Sequence, residues 1–208
     1  FWRTMTKEVS ICLHGHFYQP PRENPWIEEI EQQDSAAPFH DWNERIHYEY
    51  YLPNSRARAL DSKGKIVDIV NNFEHVSFNF GPTLLSWLDA KHPDTYKSII
   101  RADQVSRELH HGHGNAIAQV YNHMILPLAN LRDKRTQIRW GLEDFRYRFG
   151  RESESIWLPE TAVNEDTLEA LVAEKIKYII LSPYQARAVR PLDGGEWKEV
   201  TGGHIDPR

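Results

Sequence analysis

The chain alternates short apolar runs, each ending in a polar cluster, with longer segments of helical period. Val9 to Leu13 reads as a buried strand over residues 8–13 that runs into His14-Gly15-His16-Phe17-Tyr18-Gln19-Pro20-Pro21. Ser155-Ile156-Trp157-Leu158 is a second short strand and runs into Pro159-Glu160-Thr161-Ala162. Between them, Arg45 to Leu60 and Ile66 to Asn72 are predicted as helices. Val76 to Phe80 alternates like a strand before Gly81-Pro82, and Thr83 to Ala90 and Thr95 to Leu109 are helical again. Leu131 to Phe149 carries the clearest helical stripe, Ile138, Leu142, Phe145 and Phe149, with Gly150 placed to end it. Asn164 is the expected N-cap of a further helix reaching about Lys175, with Val163 and Leu168 as a hydrophobic staple. Tyr178 to Leu181 then reads as a fully apolar strand, and Lys198 to Thr201 as another.

Strands alternating with helices predict an α/β fold with a parallel sheet, open or closed into a barrel. Loops that follow the C-terminal ends of such strands share one pocket, and both polar clusters occupy that position. Residues 17–44, with Pro20, Pro21, Pro25 and Pro38, form a long insertion expected to be ordered and to roof the site.

Composition narrows the picture. The 208 residues are 40% hydrophobic, which suits one domain. A net charge of -5 lacks the basic footprint of a nucleic-acid or anionic-membrane partner. One cysteine, Cys12, excludes an internal disulfide and is expected in the core, and no apolar run approaches a membrane span or a signal peptide. These features predict a cytoplasmic protein. The aromatic content of 12% is compatible both with sugar stacking and with ordinary core filling.

Glu160, directly after a strand and beside Pro159 and Trp157, suits a nucleophile or a general acid/base; the plain alternative is a capping or solvated glutamate. His14 and His16 alternate on an extended backbone and share a face, an arrangement that suits a divalent metal or hydrogen bonds to loop and substrate. His110-His111-Gly112-His113-Gly114-Asn115, followed by Gln119, Tyr121, Asn122 and His123, is too polar for a core and is assigned to a cleft that hydrogen-bonds a hydroxyl-rich ligand. The Gly-x-Ser-x-Gly elbow, the phosphate-binding Gly-x-x-x-x-Gly-Lys loop and the Gly-x-Gly-x-x-Gly dinucleotide motif are all missing.

Taken together, His14 to Trp26, Glu108 with Tyr121 to Leu128, and Ile156-Trp157-Leu158-Pro159-Glu160 resemble three ordered motifs of glycoside hydrolase family 57. The first departs from that family's shorter His-x-His-Gln-Pro by two extra residues, Phe17 and Tyr18. The resemblance implies an incomplete (β/α)7 barrel and a retaining mechanism on α-linked glucans that uses no metal or cofactor. It implies Glu160 as the nucleophile and His14, His16, Gln19, Trp26, His113, His123 and Trp157 as substrate-binding residues. The implied partner is an oligo- or polysaccharide, with no nucleic acid and no membrane. No counterpart of the family's acid/base aspartate is found, and neither Asp193 nor Asp206 has its surroundings. The chain is therefore expected to be the N-terminal part of a catalytic barrel, truncated at the C-terminus and inactive alone. A metal-dependent deacetylase or mannosidase, on a similar barrel, and a non-catalytic sugar-binding module are the rival readings.

Overall fold

A computed structural model describes residues 11–191, 193–203 and 205. Along the chain, β1 (His14–Phe17), β2 (Glu23–Asn24) and β3 (Glu29–Ile30) lead into α1 (Trp42–Ile46), a π-helical turn (His47–Tyr51) and α2 (Leu52–Ser55). Next come β4 (Ala57–Leu60), β5 (Ile66–Val70), β6 (Ser77–Phe80), α3 (Pro82–Lys91) and α4 (Pro93–Leu109). They are followed by β7 (Ala118–Gln119), α5 (Leu131–Phe149), β8 (Ile156–Trp157), α6 (Glu165–Ala173), β9 (Ala188–Val189) and β10 (Lys198–Glu199).

The centre is a run of parallel pairings. β1 lies on β6, with His14 opposite Ser77 and His16 opposite Asn79. A parallel bridge joins Phe78 to Ala116, β7 lies on β8 with Gln119 opposite Trp157, and a further parallel bridge joins Ser155 to Tyr178. Among the described residues, no pairing returns from Tyr178 to β1. Helices α3, α4 and α5 cover the run, and the core between the layers holds Phe73, Phe78, Phe80, Leu84, Leu85, Leu88, Ile99, Leu126, Ile138, Ile156 and Leu158.

Several expectations hold at the level of single residues. Gly150 ends α5 at φ 65, the left-handed geometry that a residue without Cβ adopts freely. Asn164 caps α6, its Oδ1 accepting from the Thr167 backbone N–H at 3.0 Å. Val163 packs against the core, while Leu168 is exposed.

Other expectations fail for identifiable reasons. Among the described residues the first strand begins at His14, and Ile11 to Leu13 of the predicted span are not in it. Residues 8–10 fall outside the described ones, Cys12 is exposed, and pairing begins at His14, where Phe17 supplies the apolar anchor by stacking on Phe80. The predicted helix at Ile66 to Asn72 is instead β5, which pairs antiparallel with β4, the end of the predicted Arg45 to Leu60 helix. β-branched side chains at 66, 67, 69 and 70 favour the strand. Asp61 Oδ1 accepts from the N–H groups of Lys63 and Lys65, and Gly64 at φ +77 completes the reversal. Tyr178 to Leu181 makes one bridge and leaves Tyr178 and Leu181 exposed, because only the Ser155 side has a described neighbour. β10 pairs antiparallel with β9, apart from the parallel run.

Gly141 brings α5 against β7: a Cβ there would collide with the main-chain carbonyl oxygen of Gln119. Gly141→Ala is expected to lower stability by about 1–3 kcal/mol, the usual cost of overpacking a tight core. Urea unfolding checks this, and an unchanged midpoint would show that α5 shifts freely.

Candidate active site

β6 places one amide between two phenylalanines, Phe78 and Phe80. Asn79, fully buried, lies between β1 and β7 and touches three polar side chains. Its Oδ1 is 3.1 Å from His14 Nε2, and its Nδ2 is 2.9 Å from His16 Nδ1 and 2.6 Å from Gln119 Oε1. Ser77 Oγ sits 2.9 Å from His14 Nδ1. One proton arrangement satisfies all four contacts. The Ser77 hydroxyl donates to His14 Nδ1, His14 Nε2–H donates to Asn79 Oδ1, and the Asn79 amide donates to His16 and Gln119. In this arrangement, which takes the shorter of the two Asn79 contacts of His16 Nδ1 (Oδ1 is 3.2 Å away), His16 carries its proton on Nε2, away from Asn79.

Aromatic faces complete the walls. Trp157, at the end of β8, stacks on His16 at a centroid distance of 4.4 Å and on His14 at 5.3 Å. Tyr18 stacks on His123 at 3.8 Å, and His123 on His16 at 5.6 Å. Trp157 Nε1, His123 Nε2 and Gln119 Nε2 are buried and find no hydrogen-bond partner among the described residues. Such orphans are costly unless a ligand or water meets them, so they mark where a polar ligand binds.

Glu160 stands on a 3-10 turn (Pro159–Thr161) directly after β8. Its backbone is left-handed, at φ 53 and ψ 20, as are Thr161 at φ 52 and His123 at φ 54. For residues bearing a Cβ this geometry costs about 1–2 kcal/mol each, and three such residues at one edge of a sheet are the pattern of a strained site. The turn is fastened by Thr161 N–H donating to Leu158 O at 2.9 Å and by Gln185 Nε2 donating to Thr161 O at 2.8 Å. The exposed Glu160 carboxylate lies within electrostatic reach of His16 and His123.

Burial lowers the pKa of His14 below the ordinary 6.5, against the Asn79 hydrogen bond, and His16 adds to the effect. Burial also leads for His16, with Asn79 and Glu160 opposing and His123 assisting. For His123 burial again outweighs the attraction of Glu160. The cluster is therefore a set of neutral hydrogen-bonding rings beside one carboxylate.

The structure gathers His14, His16, His123, Trp157 and Glu160 as the sequence suggested, and separates three others. His113 precedes β7 instead of following it, so it lies at the opposite edge of the parallel run, exposed and 2.7 Å from Glu154. The histidine-rich stretch is thus divided by the strand: Gln119 and His123 reach the site, and His113 does not. Trp26 is 91% exposed in the turn between β2 and β3, away from the stacked rings. Gln19 Oε1 accepts from Arg22 at 2.7 Å, so its amide oxygen is engaged within the loop. Glu108 is exposed in the last turn of α4, and Asp206 lies outside the described residues. Asn79 was missed, although a lone amide between Phe78 and Phe80 was a visible signal.

These motifs on this sheet define a carbohydrate-active barrel family. The chain belongs to glycosyl hydrolase family 57, whose sequence profile matches residues 12–192. No curated protein matches it by sequence. Its fold is similar to that of 4-alpha-glucanotransferase from Thermococcus litoralis (TM-score 0.55, 17% identity, covering 83% of this chain and 22% of that one). It is also similar to the exo-type maltose-forming amylase from Pyrococcus sp. ST04 (TM-score 0.54, 16% identity, covering 82% of this chain and 29% of that one). The chain thus spans less than a third of the length of either enzyme. These likenesses establish the α/β fold of the family's (β/α)7 barrels, open here among the described residues.

Two tests follow. Because the three histidines have folded pKa values below the unfolded value of 6.5, their contribution to stability is complete above pH 6.5 and is lost as pH falls through the folded values. Urea midpoints should therefore fall from pH 7.5 to pH 5, and less steeply in His14→Gln/His16→Gln. Asn79→Ala, which strands His14, His16 and Gln119 at once, should cost about 1–3 kcal/mol in the same assay.

Proposed function

We propose that this chain carries the nucleophile of a retaining glycoside hydrolase or glucan-transferring enzyme that acts on α-linked glucans. The observation that carries this reading is the position of Glu160: a carboxylate on a strained post-strand turn, beside stacked aromatic rings and unpartnered N–H groups. In the reaction, a Glu160 carboxylate oxygen attacks the anomeric carbon, the glycosidic C–O bond breaks, and a second carboxylic acid protonates the departing oxygen. Water or a sugar hydroxyl then gives its proton to that second group and displaces Glu160. Retaining pairs lie about 5–5.5 Å apart.

Each neighbour has a distinct task. Trp157 offers an indole N–H and His16 an imidazole N–H to sugar hydroxyls, while neutral rings leave the Glu160 charge uncompensated and available for attack. Asn79 positions both histidines without touching substrate. The loop 17–44 begins at the cleft, where Tyr18 stacks on His123, and we assign it the roof of the site. The single cysteine supports a reducing compartment, the cytoplasm. A metal-dependent hydrolase is disfavoured by the hydrogen bonds that engage both His14 nitrogens with the neutral groups of Ser77 and Asn79.

The test is covalent trapping. Incubation of the intact protein with a fluorinated α-glucosyl fluoride should leave a glycosyl label on the peptide containing Glu160, seen by mass spectrometry. Glu160→Gln should abolish the label and lower turnover on α-glucans by roughly 10³-fold or more. Turnover surviving in that variant would overturn the assignment, and oligosaccharide binding with neither label nor turnover would identify a sugar-binding module.

A further inference from the structure

A second cluster lies apart from the cleft, where α1 and the π-helical turn meet the junction of α3 and α4. Glu44 and His47 are three residues apart and so share one side of the helix. His92, between α3 and α4, closes on both. One ligand atom from each lies within 4.8 Å of the others, and His92 Nε2 is 2.9 Å from Glu44 Oε2. The two imidazoles stack at a centroid distance of 3.6 Å. They border a cavity of about 420 Å³ that includes no residue of the Glu160 cleft.

We propose that Glu44, His47 and His92 form a binding site for a divalent transition-metal cation, zinc above all. Two imidazole nitrogens and one carboxylate oxygen are a donor set suited to zinc, with a fourth position left to water from the cavity. Bonds of about 2.0–2.2 Å place donors roughly 3.3 Å apart, so the Glu44–His92 pair is already close enough. The stacked rings need only to splay by side-chain rotation for both to point at one ion. The Thr95 hydroxyl, 3.0 Å from His47 Nε2, orients the ring as outer partners of metal-bound histidines do. The helix also departs from α to π geometry at His47, a change that is frequent at functional positions. Arg56 and Lys91 at the cavity oppose a cation, while Glu44 and Asp94 favour it. A bound ion would pin the end of the 17–44 loop to the α3–α4 corner.

The experiment is calorimetric titration of tag-free, metal-stripped protein with zinc chloride, with thermal unfolding read in parallel. One zinc per chain and a rise in Tm are expected. Glu44→Gln and His92→Gln should each weaken zinc at least about 10-fold, the loss that even outer partners can cause. Both residues are half-buried, and circular dichroism verifies that each variant folds. Replacing the surface histidines, His110→Asn/His111→Asn/His113→Asn, should leave binding intact. No zinc binding by the unaltered protein, or binding that survives both Glu44→Gln and His92→Gln, overturns the proposal. So does binding lost only in His14→Ala/His16→Ala. None of these results depends on turnover, so the Glu160 assignment is tested separately.

Discussion

The cleft depends on the register of one strand. β6 lies between β1 and the Ala116 to Gln119 segment, and this places the Asn79 amide level with His16 on one side and within 2.6 Å of Gln119 on the other. A slip of one residue would send Asn79 to the opposite face and bring in an aromatic ring from Phe78 or Phe80. The phenylalanines resist that slip, since both are buried among Phe73, Leu84 and Leu88. Apolar packing thus holds a polar network in place, and that network sets which nitrogen of His16 faces the cleft.

The opposite edge of the sheet is held by different chemistry. Asp103 of α4 and Arg151, just beyond α5, form a buried two-pronged pair, with Oδ1 2.7 Å from Nη2 and Oδ2 2.9 Å from Nε. Both partners also bond the main chain of Ala116, each at 2.8 Å. A buried pair of this kind adds little net stability against an apolar substitute, yet breaking it is costly, so it acts to specify geometry. Here it ties two helices to the start of the strand that ends at Gln119. Gly114 permits the approach, since a Cβ there would overlap both charged groups.

Between these two fixed edges the loops carry strain. His123, Glu160 and Thr161 hold left-handed backbones just after β7 and β8, between strands on one side and hydrogen-bonded turns on the other. The parallel direction of the strands explains why polar residues that look equivalent in sequence differ in fate. His123 follows β7 and enters the cleft, whereas His113 precedes it and pairs with Glu154 at the far edge.

Much of this was legible in the order of residues. The α5 stripe, Gly150, the Asn164 cap and the carboxylate after the Trp157 strand are local signals, because helical period, left-handed glycine and capping act over a few residues. The β4–β5 hairpin was also local, written in Asp61 to Gly64 and the β-branched run that follows, but the helical period was given precedence. What the sequence alone determined is therefore the α/β alternation, the family's motifs and the candidate role of Glu160. Only the tertiary structure decided that Asn79 joins the two histidines, that Trp26 and His113 stand apart from them, and that His92 meets Glu44 and His47. Those contacts join residues distant along the chain, and strand register and helix packing bring them together through interactions that no local pattern encodes.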